Sequence, residues 1–359
     1  MALKIVVGKT LPIGVDLASS AVKLAQLRAS EGGVELVAAG ETAVPRACRD
    51  QASRLEYFCH GVRKALRSCP FKGRQAILSL PAHETFVQHV KIPKLPPQER
   101  PQALESELEG KLPYPVEDAV IRSTVVGDVY GEDDARQEAI VVAVSRRTLN
   151  SYLSMAHHAK LDVVGVNIKP FAIVECFARL FLREQDASRA VLYLDMGAAS
   201  TQVVLAHGRD PVFARNLAIG GDQLDQAVAD KLNISLENAQ AVRRELIAGN
   251  SQSPDAEQVY MILDETLGSM AVEMTKCLRY YESVFRNRTI DRAVFVGGQA
   301  ADKRLCQILA QRLALCAQVG DPLARVKFAA DARPQLDRRV PQPRWAVAVG
   351  LSLGAQRAA

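Results

Sequence analysis

The amino-acid sequence predicts an α/β fold made of two related domains, the first of which carries an inserted module. Strand-like and helix-like segments alternate along its 359 residues. An apolar strand that ends on aspartate and is followed by small residues occurs twice, at residues 13–20 and 192–201. Between the two copies, residues 84–165 do not repeat this pattern and predict the inserted module. A repeat of this length indicates two domains that face one another.

The composition is that of an ordinary soluble globular protein. Hydrophobic residues make up 48% and charged residues 24% of the chain. The net charge of +5 is too small and too evenly spread to indicate nucleic-acid binding. The seven cysteines form no CxxC pair, which favours reduced thiols over a metal site. No apolar run approaches the ~20 residues of a membrane span, and the N-terminal segment does not resemble a signal peptide, so we expect a cytoplasmic protein.

The first domain is assigned to residues 1–83 and 166–188. Three strand-like runs over residues 13–42, separated by turns of small residues, predict an antiparallel meander. A helix-periodic segment and an apolar strand follow them, ending near residue 80. The strongly apolar helix predicted over residues 170–183 would return the chain to the core of this domain.

The rest of the chain is divided between the inserted module and the second domain. Residues 84–165 contain strand-like runs, a proline-bounded helix and a final helix, which predict a small α/β subdomain. The second domain is assigned to residues 189–359. It begins with a meander like the first, continues with a helical subdomain at about 221–290, and then has a strand, a Gly-Gly turn and a helix.

The repeated turns contain the residues that could bind a ligand. A tight turn of small residues exposes backbone N–H groups, which form a cradle for anions such as phosphates. Asp16 and Asp195, at the ends of the two strands, are suited to hold hydrated Mg²⁺, which needs few protein ligands. Gly297 and Gly298 precede a helix and allow close approach of an anion or a flat ring. Each turn alone is also typical of a plain connection, but the three in this order favour a nucleotide site.

These motifs resemble those of the actin-like ATPase superfamily, and within it the PilM family of type IV pilus assembly proteins, relatives of the cell-division protein FtsA. The resemblance covers nearly the whole chain. "IGVDLASSAVKLAQL" resembles the first phosphate motif, "LDMGAAST" the second and "VFVGGQA" the adenosine motif. Residues 93–116 resemble the start of the subdomain that PilM and FtsA insert into their first domain. The resemblance implies an actin-like fold of two duplicated RNase H-like domains with this insertion.

The resemblance also implies ATP and Mg²⁺ as cofactors, with Asp16 and Asp195 near the metal through water. The residues that it implies around the nucleotide are, in chain order, Asp16, Ala18, Ser19, Ser20, Lys23, Asp195, Gly197, Ser200, Thr201, Gly220, Gly221, Asp222, Gln240, Arg243, Gly297 and Gly298. No catalytic base is identified among them. We therefore expect ATP binding with weak or absent hydrolysis.

Three residues depart from the family pattern. Ala18 stands where many relatives have glycine, so it must avoid a positive φ or accept strain of about 1 kcal/mol. Gln240 stands where an acidic residue is common, and Gln299 follows the two glycines where a third is frequent. These changes narrow the expected pocket and remove a partner of the ribose or base. They bear on nucleotide affinity more than on the fold.

The function implied by the resemblance is that of a cytoplasmic assembly adaptor, recruited to the inner face of the inner membrane. Its partners would be the N-terminus of a PilN-like inner-membrane protein and other pilus platform proteins, and self-association stays open. We expect the partner groove within residues 84–125 and 160–175. Two alternatives stay open: a nucleotide-free scaffold of the same fold in type II secretion or cell division, and a small-molecule kinase. The short C-terminal tail does not resemble the amphipathic helix that ends FtsA, which favours the pilus.

Overall fold

The computed structural model of the protein describes residues 8–31, 33–45, 50–130, 135–179, 189–247, 254–285, 288–330, 332, 336–337 and 339–354. This part of the chain contains three β-sheets and nine α-helices. None of the helices within it is long and apolar enough to cross a membrane.

Six strands form the first sheet. They are β1 (Ile13–Leu17), β2 (Ala21–Ser30), β3 (Gly33–Ala43), β4 (Gln75–Ser79), β8 (Asp162–Asn167) and β14 (Val326–Phe328). The order is β14-β3-β2-β1-β4-β8, in which β1, β2 and β3 are the predicted antiparallel meander. Strand β4 is parallel to β1. The sequence analysis missed β8 and β14, which are the two edge strands.

The second sheet repeats this arrangement. Its strands are β9 (Ala190–Met196), β10 (Thr201–His207), β11 (Asp210–Leu217), β12 (Ile290–Val296) and β13 (Ala317–Val319). The meander β9-β10-β11 is antiparallel and β12 is parallel to β9, as β4 is to β1. The duplication predicted from the sequence is therefore confirmed. Because β1 and β9 are equivalent, Asp16 and Asp195 occupy equivalent positions on their strands.

The third sheet lies between β4 and β8 in the chain. It consists of β5 (Phe86–Pro93), β6 (Ala119–Tyr130) and β7 (Ala135–Ser145) in the order β5-β7-β6. The helix α2 (Arg100–Leu108) buries Leu104 and Leu108 against it. This sheet accounts for most of the predicted insertion, residues 84–165, although β8 at the end of that range belongs to the first sheet.

Helices cover the first sheet on two sides. One side carries α1 (Gln51–Ser68) and α3 (Arg146–His158), whose Phe58 and Tyr152 are fully buried against β1 and β4. The other carries α4 (Lys169–Ala178) and α9 (Ala346–Gly354). Side chains of α4 and α9 share one core with both larger sheets. The domain boundaries assigned from the sequence remain predictions. Two segments of residues 189–359, α9 and β14, lie against the first sheet.

The remaining helices pack on the second sheet. They are α5 (Gly221–Leu232), α6 (Leu236–Glu245), α7 (Pro254–Val284) and α8 (Lys303–Leu313). Together with β9, β10 and β12 they form the largest core of the described chain, which includes the buried Tyr281 and Phe295. Helices α5, α6 and α7 fall in the range, about 221–290, where a helical subdomain is predicted.

Glycines allow the closest contact between layers. A Cβ atom on Gly350 of α9 would overlap the carbonyl oxygen of Ala172 in α4 and lie 2.6 Å from its carbonyl carbon. A Cβ on Gly14 of β1 would overlap the carbonyl oxygen of Ala348. The backbones of β1, α9 and α4 are therefore in direct contact.

A buried polar network joins the third sheet to the second. The N–H of Ala214 in β11 donates to His89 Nε2 at 3.3 Å, so the proton of His89 lies on Nδ1, which donates to Glu138 Oε1 at 3.1 Å. The hydroxyl of Tyr280 donates to the same oxygen at 2.6 Å. The His89 ring stacks on Phe213 with centroids 4.8 Å apart. This network fixes the insertion against β11, which leads to the turn at Gly220.

Candidate functional site

A polar cavity of about 140 Å³ lies where β1 and β9 end. Most of the residues predicted around a nucleotide line it. They are Asp16, Ala18, Ser19, Ser20, Lys23, Asp195, Gly197, Ser200, Gly297 and Gly298. Gln299, which the sequence analysis named beside the two glycines, also lines it. Side chains that the sequence analysis missed line it as well, and these include Lys169, Gln202, Glu41 and Arg344. The duplicated strand ends thus meet in one site, as the repeat predicts.

Asp16 is held between two ammonium groups. Lys23 is its cross-strand neighbour in β2, and Lys23 Nζ lies 3.7 Å from Asp16 Oδ2. Lys169 Nζ, from the first turn of α4, lies 3.3 Å from Asp16 Oδ1. The Asp16 side chain is only 4% exposed, so both pairs are shielded from water. A buried charge needs such partners, because desolvation without them is costly.

Lys169 also acts on the second aspartate. Burial lowers the pKa of Lys169, but the carboxylates of Asp16 and Asp195 raise it more, so the group stays an ammonium. Burial raises the pKa of Asp195, and the Asp16 carboxylate raises it further, while Lys169 and Lys23 lower it. The floor of the cavity is therefore a compact cluster of two carboxyl and two ammonium groups. One signal in the sequence could have revealed Lys169: it is the one cation of α4 and stands at the start of a predominantly apolar helix.

The turn after β9 is built by backbone hydrogen bonds. The N–H of Gly197 donates to Ser200 O at 3.0 Å, and the N–H of Gly221, at the start of α5, donates to Gly197 O at 3.0 Å. A Cβ on Gly220 would lie 2.6 Å from Ala198 O, so this position admits only glycine without a shift of the turn. The second phosphate-like turn is therefore packed directly on the N-terminus of α5.

Several predicted residues shape this turn without lining the cavity. Thr201 is fully buried, and its hydroxyl donates to Ile219 O at 2.7 Å. The N–H of Asp222 donates to Ala198 O at 2.8 Å. Gly220 and Gly221 likewise support the turn from the side of α5.

In the segment that resembles the adenosine motif, Gly297 is sterically constrained, whereas Gly298 is not. Gly297 has a φ of +87°, and a Cβ there would overlap Asp195 Oδ1 and lie 2.5 Å from Met196 O. A Cβ on Gly298 would meet no atom within 4 Å. Gly297 is therefore required for the close approach of β12 to the end of β9, whereas Gly298 leaves open space beside the cavity.

Arg243 does not line the cavity, but it is bonded to Gln299, which does. Arg243 is buried, and its Nη1 donates to Asp225 Oδ1 at 2.7 Å and to Gly221 O at 3.1 Å. Its Nη2 donates to Gln299 Oε1 at 2.6 Å. Gln240, one helical turn before Arg243, is half-buried and does not line the cavity. Arg243, which the resemblance implies near the nucleotide, is thus bonded to Gln299, which departs from the family pattern.

The two ends of the cavity differ in their fit to a nucleotide. The phosphate end has two small-residue turns and two buried ammonium groups, and the φ of Ala18 is not positive, so the first turn avoids that strain. A volume of about 140 Å³ is below the ~300–1,000 Å³ of typical ligand pockets. The cavity in this structure is therefore smaller than a site for a whole nucleotide, and Gln299, which is bonded to Arg243, is part of its lining.

The residues present suit Mg²⁺ held through water. In the described ranges, no group of three or more His, Cys, Asp and Glu side chains is placed to hold a metal ion directly. Asp16 and Asp195 offer two carboxylates, and Mg²⁺ usually keeps several waters and takes one or two protein carboxylates. These side chains do not form a site that coordinates a metal ion directly.

Comparison with known proteins agrees with this architecture. Residues 14–356 match the sequence model of the family described as type IV pilus assembly protein PilM. A solved PilM-PilN type IV pilus biogenesis complex is similar at 23% identity and a TM-score of 0.76, covering 96% of this chain and 98% of that one. The ethanolamine utilization protein EutJ from Carboxydothermus hydrogenoformans is similar at 14% identity and a TM-score of 0.56, covering 98% and 92% of the two chains.

A third similar structure is MreB5 of Spiroplasma citri bound to ADP, at 12% identity and a TM-score of 0.51. The alignment covers 96% of each chain. At these identities the likeness shows the fold, which is the actin-like fold that the family resemblance implies.

Proposed function

Since this chain belongs to the PilM family of type IV pilus assembly proteins, we propose that it acts as a nucleotide-binding adaptor for a PilN-like inner-membrane protein. It would hold the N-terminal segment of that protein at the cytoplasmic face of the inner membrane and so connect it to other pilus platform proteins. The observation that supports this proposal most directly is a groove between the first and third sheets. The similar PilM-PilN complex supports the kind of partner.

The groove has a volume of about 350 Å³ and is bordered by two edge strands. Strand β6 is the edge of the third sheet and β8 is the edge of the first. Its apolar lining includes Val120, Ile140, Val142, Val166, Ile168 and Phe171. Most of the groove falls within the predicted ranges 84–125 and 160–175, and β7 adds residues outside them. An extended peptide can hydrogen-bond to an edge strand while its side chains enter an apolar pocket.

We expect Val166→Glu to weaken binding of the partner peptide by at least tenfold. Val166 lines the groove and is 39% exposed, so a carboxylate there meets the apolar side chains of the peptide without disturbing a core. The loss of one well-placed apolar contact is worth about 1.5–3 kcal/mol, which exceeds a factor of ten. Fluorescence anisotropy with a labelled N-terminal peptide of the PilN-like protein measures the affinity.

Val164→Glu is the matched control. Val164 lies two residues earlier in β8, is 50% exposed and does not line the groove. Its variant should bind the peptide within about twofold of the wild type, since exposed substitutions of this kind change free energies by less than ~0.5 kcal/mol. Equal affinities for both variants would contradict the assignment of the groove.

We further propose that the cavity between β1 and β9 binds the phosphates of ATP together with Mg²⁺. Lys23 and Lys169 would face the phosphates, and the turns at Ala18 and Gly197 would offer backbone N–H groups. Asp16 and Asp195 would hold Mg²⁺ through water, and the ion would neutralise phosphate charge. Among the described lining residues the one other carboxylate is Glu41, which is paired with Arg344. The lining therefore supports binding with slow hydrolysis.

Lys169→Met should weaken MgATP binding by at least tenfold. The substitution removes one of two buried ammonium groups and leaves the two aspartates to repel the phosphates, and hydrogen bonds to charged groups contribute about 1.5–3 kcal/mol. At a hundred times its dissociation constant, MgATP should stabilise the wild type by ~2.7 kcal/mol, a rise of a few degrees in Tm. The Tm with and without MgATP, with phosphate release followed in the same samples, measures binding and hydrolysis.

Arg344→Met serves as the control for charge. Arg344 also lines the cavity, but it is 48% exposed and lies at the rim in an ion pair with Glu41. We expect its variant to bind MgATP within about twofold of the wild type, because an exposed charge is screened by water. A loss as large as that of Lys169→Met would mean that total charge, and not the buried cluster, controls binding.

The hydrogen bond between Arg243 and Gln299 favours a second candidate, a nucleotide-free scaffold. It closes the side of the cavity where the resemblance implies the adenosine. A wild-type Tm unchanged by MgATP, together with intact peptide binding, would establish this alternative and overturn the nucleotide proposal.

A further inference from the structure

The outer face of the first sheet carries a concentrated positive charge. Exposed basic side chains project from α1 and α3 and from the residues that follow α3. They are His60, Arg63, Lys64, Arg67, Arg147, His158 and Lys160. Within the described part of the chain, Lys64, Arg67, Arg147 and Lys160 form no ion pair. The small net charge of +5 is thus unevenly distributed, which the sequence alone did not reveal.

Two adjoining grooves run along this face. The first, of about 790 Å³, lies between α1 and α3 and is lined by Arg63, Arg147 and His158, with Glu56 as its one carboxylate among the described residues. Its less exposed lining includes Leu55 and Met155. The second, of about 400 Å³, shares Arg63 with the first and is lined by His60, Lys64 and Arg67. We call these two grooves together the basic face.

The first groove is formed by a contact between the helices. The guanidinium of Arg63 donates from Nη2 to His158 O at 2.6 Å and from Nε to the same oxygen at 3.2 Å. This contact joins the middle of α1 to the C-terminal end of α3. The basic face is therefore a preformed surface in which cationic side chains surround apolar ones.

We propose that the basic face binds the surface of an anionic phospholipid membrane. Its charge complements acidic headgroups, and the apolar side chains between the cations suit the boundary between headgroups and acyl chains. Among the described residues that line the two grooves there is no Phe, Tyr or Trp, the side chains on which nucleic-acid bases stack. The lining thus favours a lipid surface over a nucleic acid.

The position of the basic face beside the peptide groove supports this assignment, and this step rests on the proposed function. Leu149 of α3 lines the peptide groove, whereas the next residues, Asn150 and Ser151, line the basic face. The two sites are therefore separated by the width of one helix, ~10–12 Å. If a membrane-anchored peptide occupies the peptide groove, the basic face lies close to the membrane. Its distance from the membrane is then about the distance over which surface charge acts in solution, ~8–10 Å.

The test is sedimentation of the full chain with vesicles, without any partner peptide. One set of vesicles contains phosphatidylcholine alone and the other contains phosphatidylcholine mixed with phosphatidylglycerol. We expect binding to the anionic vesicles only, and weaker binding as the salt concentration rises. Equal binding to both sets, or binding to neither, would overturn the proposal, and binding to a nucleic acid without any vesicle binding would overturn it as well.

The double variant Lys64→Glu/Arg67→Glu should reduce anionic vesicle binding at least ~25-fold, since each basic side chain near such a surface contributes about fivefold. Both side chains are exposed, so the fold should persist. The control Lys231→Glu/Lys303→Glu makes the same charge change at exposed positions of α5 and α8. It should bind vesicles like the wild type.

Peptide binding by the same variants separates this inference from the proposed function. The Lys64→Glu/Arg67→Glu variant should retain wild-type peptide affinity, because neither residue lines the peptide groove. Wild-type vesicle binding by this variant would overturn the membrane assignment and leave the adaptor function intact. Loss of peptide binding in the groove variant Val166→Glu would leave the vesicle result unchanged.

Discussion

Replacing Gly297 by alanine should lower the free energy of unfolding by about 3 kcal/mol and abolish nucleotide binding. At its φ of +87°, a residue with a side chain is strained by ~1 kcal/mol or more. The new Cβ would also overlap Asp195 Oδ1 and approach Met196 O to 2.5 Å, and relief of such overpacking costs about 1–3 kcal/mol. Because Met196 O is a backbone atom, the relief must move the end of β9 and with it Asp195.

The neighbouring Gly298 provides the control. Its φ is −66°, and a Cβ there would meet nothing within 4 Å. Gly298→Ala should therefore change the free energy of unfolding by less than about 0.5 kcal/mol. Urea denaturation followed by circular dichroism measures both variants, and MgATP-dependent Tm shifts measure the site. Similar stabilities for the two variants would show that β12 does not approach β9 as described.

Gly350→Ala should destabilise the protein by more than ~4 kcal/mol, a large part of the 5–15 kcal/mol that stabilises a typical domain. The added Cβ would overlap the carbonyl oxygen of Ala172, so α9 and α4 would have to separate. These helices share a core with both larger sheets, and the separation would expose apolar surface of each. We expect a protein that is mostly insoluble when expressed, or one that unfolds at a much lower urea concentration.

Gly354 of the same helix tests whether this loss is specific. A Cβ on Gly354 would lie 3.7 Å from Glu175 Cγ, which is an ordinary contact. Gly354→Ala should be neutral or slightly stabilising, because alanine has the higher helix propensity. If both alanine variants retained wild-type stability, the close contact between α4 and α9 would be wrong.

The duplicated halves were predictable because their signal is local. The apolar strand, the aspartate and the small-residue turn stand together at Asp16 and again at Asp195, and strand periodicity gave both meanders. The edge strands β8 and β14 were missed because they are short and pair with strands far away in the chain. A six-residue run such as β8 carries too little periodicity to distinguish an edge strand from a loop.

In the site, too, the local motifs were predicted and the contacts between residues far apart in the chain were missed. The turns at Ala18 and Gly197 and the glycine at 297 were identified from short motifs, and they line one cavity. Lys169 was missed because it approaches Asp16 from a helix more than a hundred residues later. The bond between Arg243 and Gln299 was missed for the same reason, although the sequence analysis had singled out each residue separately.

The sequence by itself determined the class of fold, the duplication, the two phosphate-like turns and the family, because these depend on residues adjacent in the chain. Only the tertiary structure decided which side chains neutralise the two aspartates, that Gln299 is bonded to Arg243, and that exposed basic side chains are concentrated on one face. Ion pairs, cavity volumes and surface potential depend on distances through space, and folding sets these distances between residues that no local pattern connects.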